Sequence, residues 1–137
     1  MPEESTTPDL EERVQRFVDA INAQDFDAAV SIYAHDAILD TSVGIHRGRA
    51  AIRSFIEDWL GTYEQHHWKA DEVRDVGNGV VFVVVCQRAR LPDTRESLEN
   101  RFGAVLIWVN GLIEEQTNRP DIDEARAAAE RLAEERG

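Results

Sequence analysis

The spacing of apolar residues changes once along this chain, from a helical period to a strand period, and this change restricts the possible folds. Apolar residues recur every three or four positions between Leu10 and Leu60, as on the buried faces of helices. Four segments then read as strands, at 66–76, 80–90, 96–109 and 112–119. Pro120-Asp121 starts a last helix that runs to about Glu135. Helices followed by consecutive strands predict an α+β domain.

The helical half is predicted to contain three helices and one short strand. Thr7-Pro8-Asp9 starts the first helix, and Asp25 caps a second helix whose apolar stripe extends to Tyr33. Residues 37–41 read as a short strand, and Gly44 and Gly48 mark a loop before the third helix.

Two tight turns predict how the long strands pair. Gly77-Asn78-Gly79 joins the first two, and Asn110-Gly111 joins the last two. Asn-Gly suits a type I′ turn, and a two-residue loop in the second hairpin would set Val105 opposite Gln116. One face would then hold Val105, Ile107, Gln116 and Asn118, and the other would hold Phe102, Leu106, Trp108 and Ile113.

Both faces of this sheet are apolar, so both should be covered. The three N-terminal helices can cover one face only. We therefore expect a second copy of the chain on the outer face, with Trp108 and its neighbours Phe102, Leu106 and Ile113 as buried anchors. The predicted assembly is a homodimer.

Composition restricts the setting in which the protein works. The 137 residues suit one domain, predicted at 9–137 after a flexible tail at 1–8. No apolar run reaches the ~20 residues of a membrane span, and the N-terminus has no signal-peptide pattern. A single cysteine, Cys86, favours a reducing cytoplasm. The net charge of −12 disfavours nucleic acid and anionic membranes as partners.

Three short motifs resemble a known family. They are Asn22-Ala23-Gln24-Asp25, then Tyr33-Ala34-His35-Asp36-Ala37, then the Gly-x-x-Ala-Ile pattern at Gly48–Ile52. Together they resemble the SnoaL-like and ketosteroid-isomerase-like branch of the nuclear transport factor 2-like superfamily, over residues 9–135. The resemblance implies a cone of about three helices on a strongly bent, mostly antiparallel sheet, with a C-terminal helix and dimers through the outer sheet face. It does not choose among the isomerase, cyclase, dehydratase and non-catalytic members.

The resemblance also implies a catalytic position at Asp40, where the isomerases keep their general base. A carboxylate at the mouth of an apolar pocket gains basicity through desolvation. The alternative is that Asp40 only caps the Thr41–Gly44 turn. Phe17, Ile56 and Val105 stand where the isomerases have two tyrosines and an aspartic acid, so the oxyanion donors are missing. True ketosteroid isomerase activity is therefore not expected.

The same resemblance implies a pocket between the first helix and the last strand. Its expected lining is Phe17, Ile21, Ile56, Trp59, Tyr63, Val105 and Ile107, with Gln116 and Asn118 as polar groups. Such a pocket would bind an uncharged, largely apolar molecule carrying at least one oxygen. We expect no cofactor, and no metal because the four histidines lack metal-ligand spacing. Two functions stay open: an enzyme with Asp40 as acid/base, and a non-catalytic binding or accessory module.

Overall fold

A computed structural model describes residues 7–92 and 96–137, with side chains from Leu10 onward. These residues form four helices and six strands: α1 Thr7–Asn22, α2 Phe26–Val30, β1 Tyr33–Thr41, β2 Gly44–Arg47, α3 Arg49–Gly61, β3 Gln65–Gly77, β4 Val80–Arg90, β5 Ser97–Val109, β6 Leu112–Arg119 and α4 Ile122–Arg136. The strands make one sheet in the order β2-β1-β6-β5-β4-β3. The predicted α+β class and C-terminal helix are confirmed. Most of the predicted tail at 1–8 lies outside the described residues, but α1 already includes residues 7 and 8.

Two predictions in the helical half were wrong. Tyr33 does not belong to a helical stripe, because α2 ends at Val30 and Tyr33 opens β1. The backbone here pairs with β6, where the Ile113 amide donates to the Ile32 carbonyl at 2.9 Å. The region between Gly44 and Gly48 is not a plain loop, since β2 pairs antiparallel with β1. Sheet hydrogen bonds outweighed the local spacing in both places, from the distant β6 at Tyr33 and from the adjacent β1 at Gly44–Arg47.

The predicted register of the last hairpin was also wrong, although the turn itself was correct. Asn110 and Gly111 have φ values of 53° and 83°, as a type I′ turn requires. However, Trp108 faces Ile113 while Ile107 faces Glu115, so one extra residue forms a bulge on β6. The bulge moves every later side chain of β6 to the opposite face.

The bulge separates the predicted pocket residues. Leu106 is opposite Gln116 and Ala104 is opposite Asn118, so the two amides share the inner face, on which α1 packs. Val105 is opposite Thr117 and packs against α4 on the outer face. Ile107 shares the Val105 face by register. Neither Val105 nor Ile107 can therefore line a pocket beside α1.

The second cover of the sheet is helix α4 of the same chain, for part of the outer face. Ala125, Ala129 and Ala133 recur every four residues and form one stripe of this helix. They pack on a cluster of sheet residues, which comprises Val80, Phe82, Val84 and Val105. The N-cap Asp121 accepts a hydrogen bond from the Glu124 amide at 3.0 Å and defines where α4 begins.

The aromatic residues expected at a dimer interface lie inside the protein instead. Trp108, Phe102, Leu106 and Ile113 are all buried in the cluster that contains the α1 side chains. They cannot anchor a second subunit on the outer face. The homodimer itself stays a prediction, without this support. No described helix is both long and apolar enough to cross a membrane.

Candidate ligand-binding site

The space between α1 and β6, where the pocket was expected, is filled by aromatic rings. The Phe17 ring lies 6.0 Å from the Tyr33 ring and 6.4 Å from the Trp68 ring, measured between centroids. The remaining cavity is about 30 Å³, with Phe17 and Gln116 in its lining. That is about a tenth of the ~300 Å³ at which typical small-molecule sites begin.

A larger cavity of about 490 Å³ opens at the mouth of the cone, between α3 and the ends of β1, β5 and β6. We call it the mouth cavity. Its lining residues are Thr41, Ser42, Val43, Phe55, Asp58, Trp59, Asn100, Phe102, Asn118, Arg119 and Pro120. Phe55, Asp58 and Trp59 share one face of α3, because residues three and four apart are neighbours on a helix. Asn100 and Phe102 share a face of β5 because side chains alternate along a strand.

Aromatic rings form the apolar wall of the mouth cavity. The Trp59 ring lies 5.7 Å from that of Phe55 and 5.9 Å from that of Phe102. Behind them Trp68 lies 5.2 Å from Trp59, and His46 stacks on Phe55 at 4.2 Å. Each lining ring is therefore supported by a second ring, which holds the wall in place.

A chain of hydrogen bonds connects the buried core to the mouth cavity. The Tyr33 hydroxyl donates to Gln116 Oε1 at 2.7 Å, and Gln116 Nε2 donates to Asn118 Oδ1 at 2.9 Å. Burial raises the pKa of Tyr33, so its hydroxyl keeps the proton that it donates. The chain uses the Asn118 oxygen and leaves its Nδ2 hydrogens with no acceptor among the described residues. Asn118 therefore presents a preorganised donor in the wall of the cavity.

Asp40 lies on the other side of the sheet from the mouth cavity. Its register partners are Thr117 and Ile45, while the preceding Leu39 is opposite Gln116 and is buried in the inner core. The Asp40 carboxylate is 3.4 Å from Arg119 Nη2, and both side chains are 34% exposed. Asp40 is thus a half-buried partner of an arginine and not part of the cavity wall.

The alternative role for Asp40, as a cap of the following turn, is contradicted by the hydrogen bonds. Thr41 holds this turn, because its Oγ1 accepts from the Val43 amide at 3.2 Å and donates to the Gly44 carbonyl at 3.0 Å. A threonine hydroxyl can make the same type of local bond as an aspartate, although a weaker one.

Comparison with known proteins places the chain in a family. The model of the SnoaL-like domain matches residues 14–116, which is three quarters of the sequence. The protein is a SnoaL-like domain. Comparison with curated proteins gave no significant match.

Solved structures of similar fold share little sequence with this SnoaL-like domain. A Catenulispora acidiphila protein with a ketosteroid isomerase-like fold, in complex with trimethylamine, has a TM-score of 0.72 at 16% identity, covering 83% of this chain and 86% of that one. A Burkholderia pseudomallei NTF2-like protein of unknown function has a TM-score of 0.72 at 18% identity, with coverages of 83% and 92%. A Sinorhizobium meliloti protein provisionally named a polyketide cyclase has a TM-score of 0.68 at 19% identity, with coverages of 84% and 100%. Such similarity shows the NTF2-like fold alone.

The SnoaL-like domain brings together only part of the predicted binding set. Trp59 and Asn118 line the mouth cavity, and Gln116 reaches it through Asn118. Ile21 and Ile56 are buried core residues, and Tyr63 follows α3 without lining the cavity.

Of the eleven residues that line the mouth cavity, the predicted binding set contained only Trp59 and Asn118; those it missed include Phe55, Asp58, Asn100 and Phe102. The helical spacing of Phe55, Asp58 and Trp59 was the available signal. Within the described residues, no three His, Cys, Asp or Glu side chains are grouped so that they could hold a metal ion.

Proposed function

We propose that this SnoaL-like domain binds a small, largely apolar molecule in the mouth cavity. The observation that carries the proposal is a cavity of about 490 Å³ walled by Phe55, Trp59 and Phe102. Small-molecule sites typically measure about 300–1,000 Å³ and combine an apolar wall with a few polar groups. The mouth cavity has both properties, whereas the space beside α1, at about 30 Å³, lacks the volume.

Polar groups in the wall would orient the ligand. Asn118 offers its Nδ2 hydrogens because Gln116 already occupies its oxygen. Asn100 adds a second amide on the neighbouring strand. A carbonyl or hydroxyl oxygen of the ligand would accept from these amides, which is the usual way that an apolar site selects an oxygen-containing molecule.

A binding function has more support than catalysis of an isomerase, cyclase or dehydratase type with Asp40 as the acid/base. A general base has to reach the proton that it removes, within about 3 Å or through one water. Asp40 faces away from the mouth cavity and is paired with Arg119. The carboxylate in the cavity wall is instead that of Asp58. Catalysis by Asp40 stays a prediction that this arrangement does not favour.

The test of the binding function uses a neutral fluorescent probe, N-phenyl-1-naphthylamine, and a cavity-filling variant. We expect the parent protein to bind the probe with micromolar affinity and Asn100→Trp to weaken binding by about tenfold or more, since the indole would occupy the cavity. Arg101→Trp is the matched control, because residue 101 is exposed on the same strand but on the opposite face. Failure of the parent to bind, or equal binding by both variants, would contradict the proposal.

The homodimer is part of the same proposal. Because α4 covers the outer face over Val80 to Val84, a partner subunit would have to use the remaining part. That part carries charged side chains, including Arg88, Glu99 and Arg101 in ion pairs. We expect twice the mass of the chain by light scattering at micromolar concentration. A monomeric mass that is independent of salt would reject the dimer.

A further inference from the structure

We propose that the ligand of the mouth cavity is an organic amine, positively charged at neutral pH, whose nitrogen lies between the Asp58 carboxylate and the rings of Phe55 and Trp59. This inference rests on the proposed binding function and specifies its ligand class. It follows from three properties of the cavity wall: its uncompensated charge, its aromatic faces and its amide donor.

The charge of the cavity wall is negative once the ion pair is taken into account. Two charged residues line the cavity, Arg119 and Asp58. Arg119 is compensated by Asp40, 3.4 Å away, and it also donates to the Asn118 carbonyl at 2.8 Å. In the part of the chain that the structure describes, the Asp58 carboxylate has no hydrogen-bond or ion-pair partner. One unpaired negative charge therefore faces the cavity, in a chain whose net charge is −12.

The aromatic wall favours the same sign of charge. The face of an aromatic ring carries negative potential and attracts ammonium groups within about 6 Å of its centroid, with tryptophan the strongest. Phe55, Asp58 and Trp59 are neighbours on α3, so two rings and a carboxylate meet along one helix face. A cation that contacts the face of either ring would gain from that ring and from the carboxylate, whereas the carboxylate would repel an anion.

The amide at the other side of the wall adds a second requirement. Asn118 offers a hydrogen-bond donor and is connected to Tyr33 through Gln116. A ligand that satisfies the whole wall carries an ammonium group at α3, an apolar body, and an oxygen that accepts from β6. An amine that also bears a carbonyl or hydroxyl group meets this description.

The test compares two probes of the same shape, phenyltrimethylammonium and its neutral isostere tert-butylbenzene. Each would displace N-phenyl-1-naphthylamine from the parent protein, and we expect the cation to bind about fivefold more tightly. Asp58→Asn should reduce this preference, measured as the ratio of the two affinities, by about threefold. Glu57→Gln is the control, because it removes the same charge from α3 at a residue paired with Arg53 outside the cavity wall.

Each result bears on one of the two proposals. Equal affinity for the two isosteres would overturn the amine assignment and leave the cavity as a binding site. A cation preference that survives Asp58→Asn, or that Glu57→Gln lowers equally, would assign the preference to the overall charge and would also overturn it. If N-phenyl-1-naphthylamine itself does not bind, the binding function fails first.

Discussion

The two faces of the sheet are covered in different ways, and the difference explains where the protein has room for a ligand. On the outer face, Ala125, Ala129 and Ala133 let α4 lie directly on the valines of β4. On the inner face the cover is made of large rings such as Phe17, Trp59 and Trp68. Small side chains let the helix backbone approach the sheet closely over this part of the outer face. The rings of Phe17, Tyr33 and Trp68 fill the space beside α1. The rings of Phe55, Trp59 and Phe102 wall the open mouth cavity.

The two faces also differ in polarity. Among the described residues, the two buried polar side chains are Gln87 and Gln116. Both lie on the inner face, since Gln87 is opposite Trp68 in β3 and Gln116 is opposite Leu106 in β5. The inner face therefore combines an apolar wall with buried amide groups, which is the usual composition of a small-molecule site.

The largest expected effect is on the free energy of unfolding, which should change in opposite directions when each of these two glutamines is replaced. Gln116→Met should lower the free energy of unfolding by about 1–3 kcal/mol, because it leaves the buried Tyr33 hydroxyl without its acceptor. Gln87→Met should raise it by about 1 kcal/mol, because neither amide atom of Gln87 has a partner among the described residues. Urea unfolding monitored by circular dichroism measures both values. If Gln87→Met is as damaging as Gln116→Met, Gln87 has a partner that the fold alone does not supply.

A smaller effect is expected on the outer face, where packing is tightest. A Cβ at residue 103 would lie 2.6 Å from the Ala125 Cβ and 3.2 Å from Phe82 Cε1. Gly103→Ala should therefore cost about 1–2 kcal/mol of stability through overpacking. Gly61→Ala is the control, since nothing lies within 4 Å of its added Cβ, and it should be neutral or slightly stabilising.

A double-mutant cycle would show whether the contact with Ala125 is the cause. Gly103→Ala combined with Ala125→Gly should lose less stability than the sum of the two single variants. Strict additivity of the two losses would mean that α4 shifts easily, and the outer face would then not be the more tightly packed one.

The smallest expected effect is on the loss of stability below neutral pH. It involves His66, which lies on the inner face of β3. Burial lowers the pKa of His66, and the charge of His67 lowers it further. The unfolded chain therefore binds the proton more tightly than the folded protein. The contribution of neutral His66 to stability should be fully present above the unfolded pKa of about 6.5. It should be lost as the pH falls towards the lower pKa of the folded protein.

Replacing His66 removes this proton-linked loss. The decrease in melting temperature between about pH 7 and pH 5 should be smaller for His66→Phe than for the parent. His35→Phe, which changes an exposed histidine of β1, serves as the control. An unchanged pH dependence in His66→Phe would show that the ring is hydrated and would contradict its burial on the inner face.

Local sequence patterns determined much of this protein by themselves. The change of period predicted the α+β class, and the Asn-Gly pair predicted the last turn, because both depend on neighbours along the chain. The family motifs gave the SnoaL-like fold. Two members of the mouth cavity, Trp59 and Asn118, were also predicted from the sequence.

Only the tertiary structure decided which face each strand residue occupies. A single extra residue in β6 places Val105 and Gln116 on opposite faces of the sheet, although they were predicted to share one. No glycine marks the bulge in the sequence. The face of Asp40 depends on parallel pairing with β6, a strand more than seventy residues away. Because side chains alternate with a period of two, one residue of register decides whether a carboxylate faces the mouth cavity or an arginine on the other side of the sheet. That choice is made by long-range pairing, which local propensity does not encode.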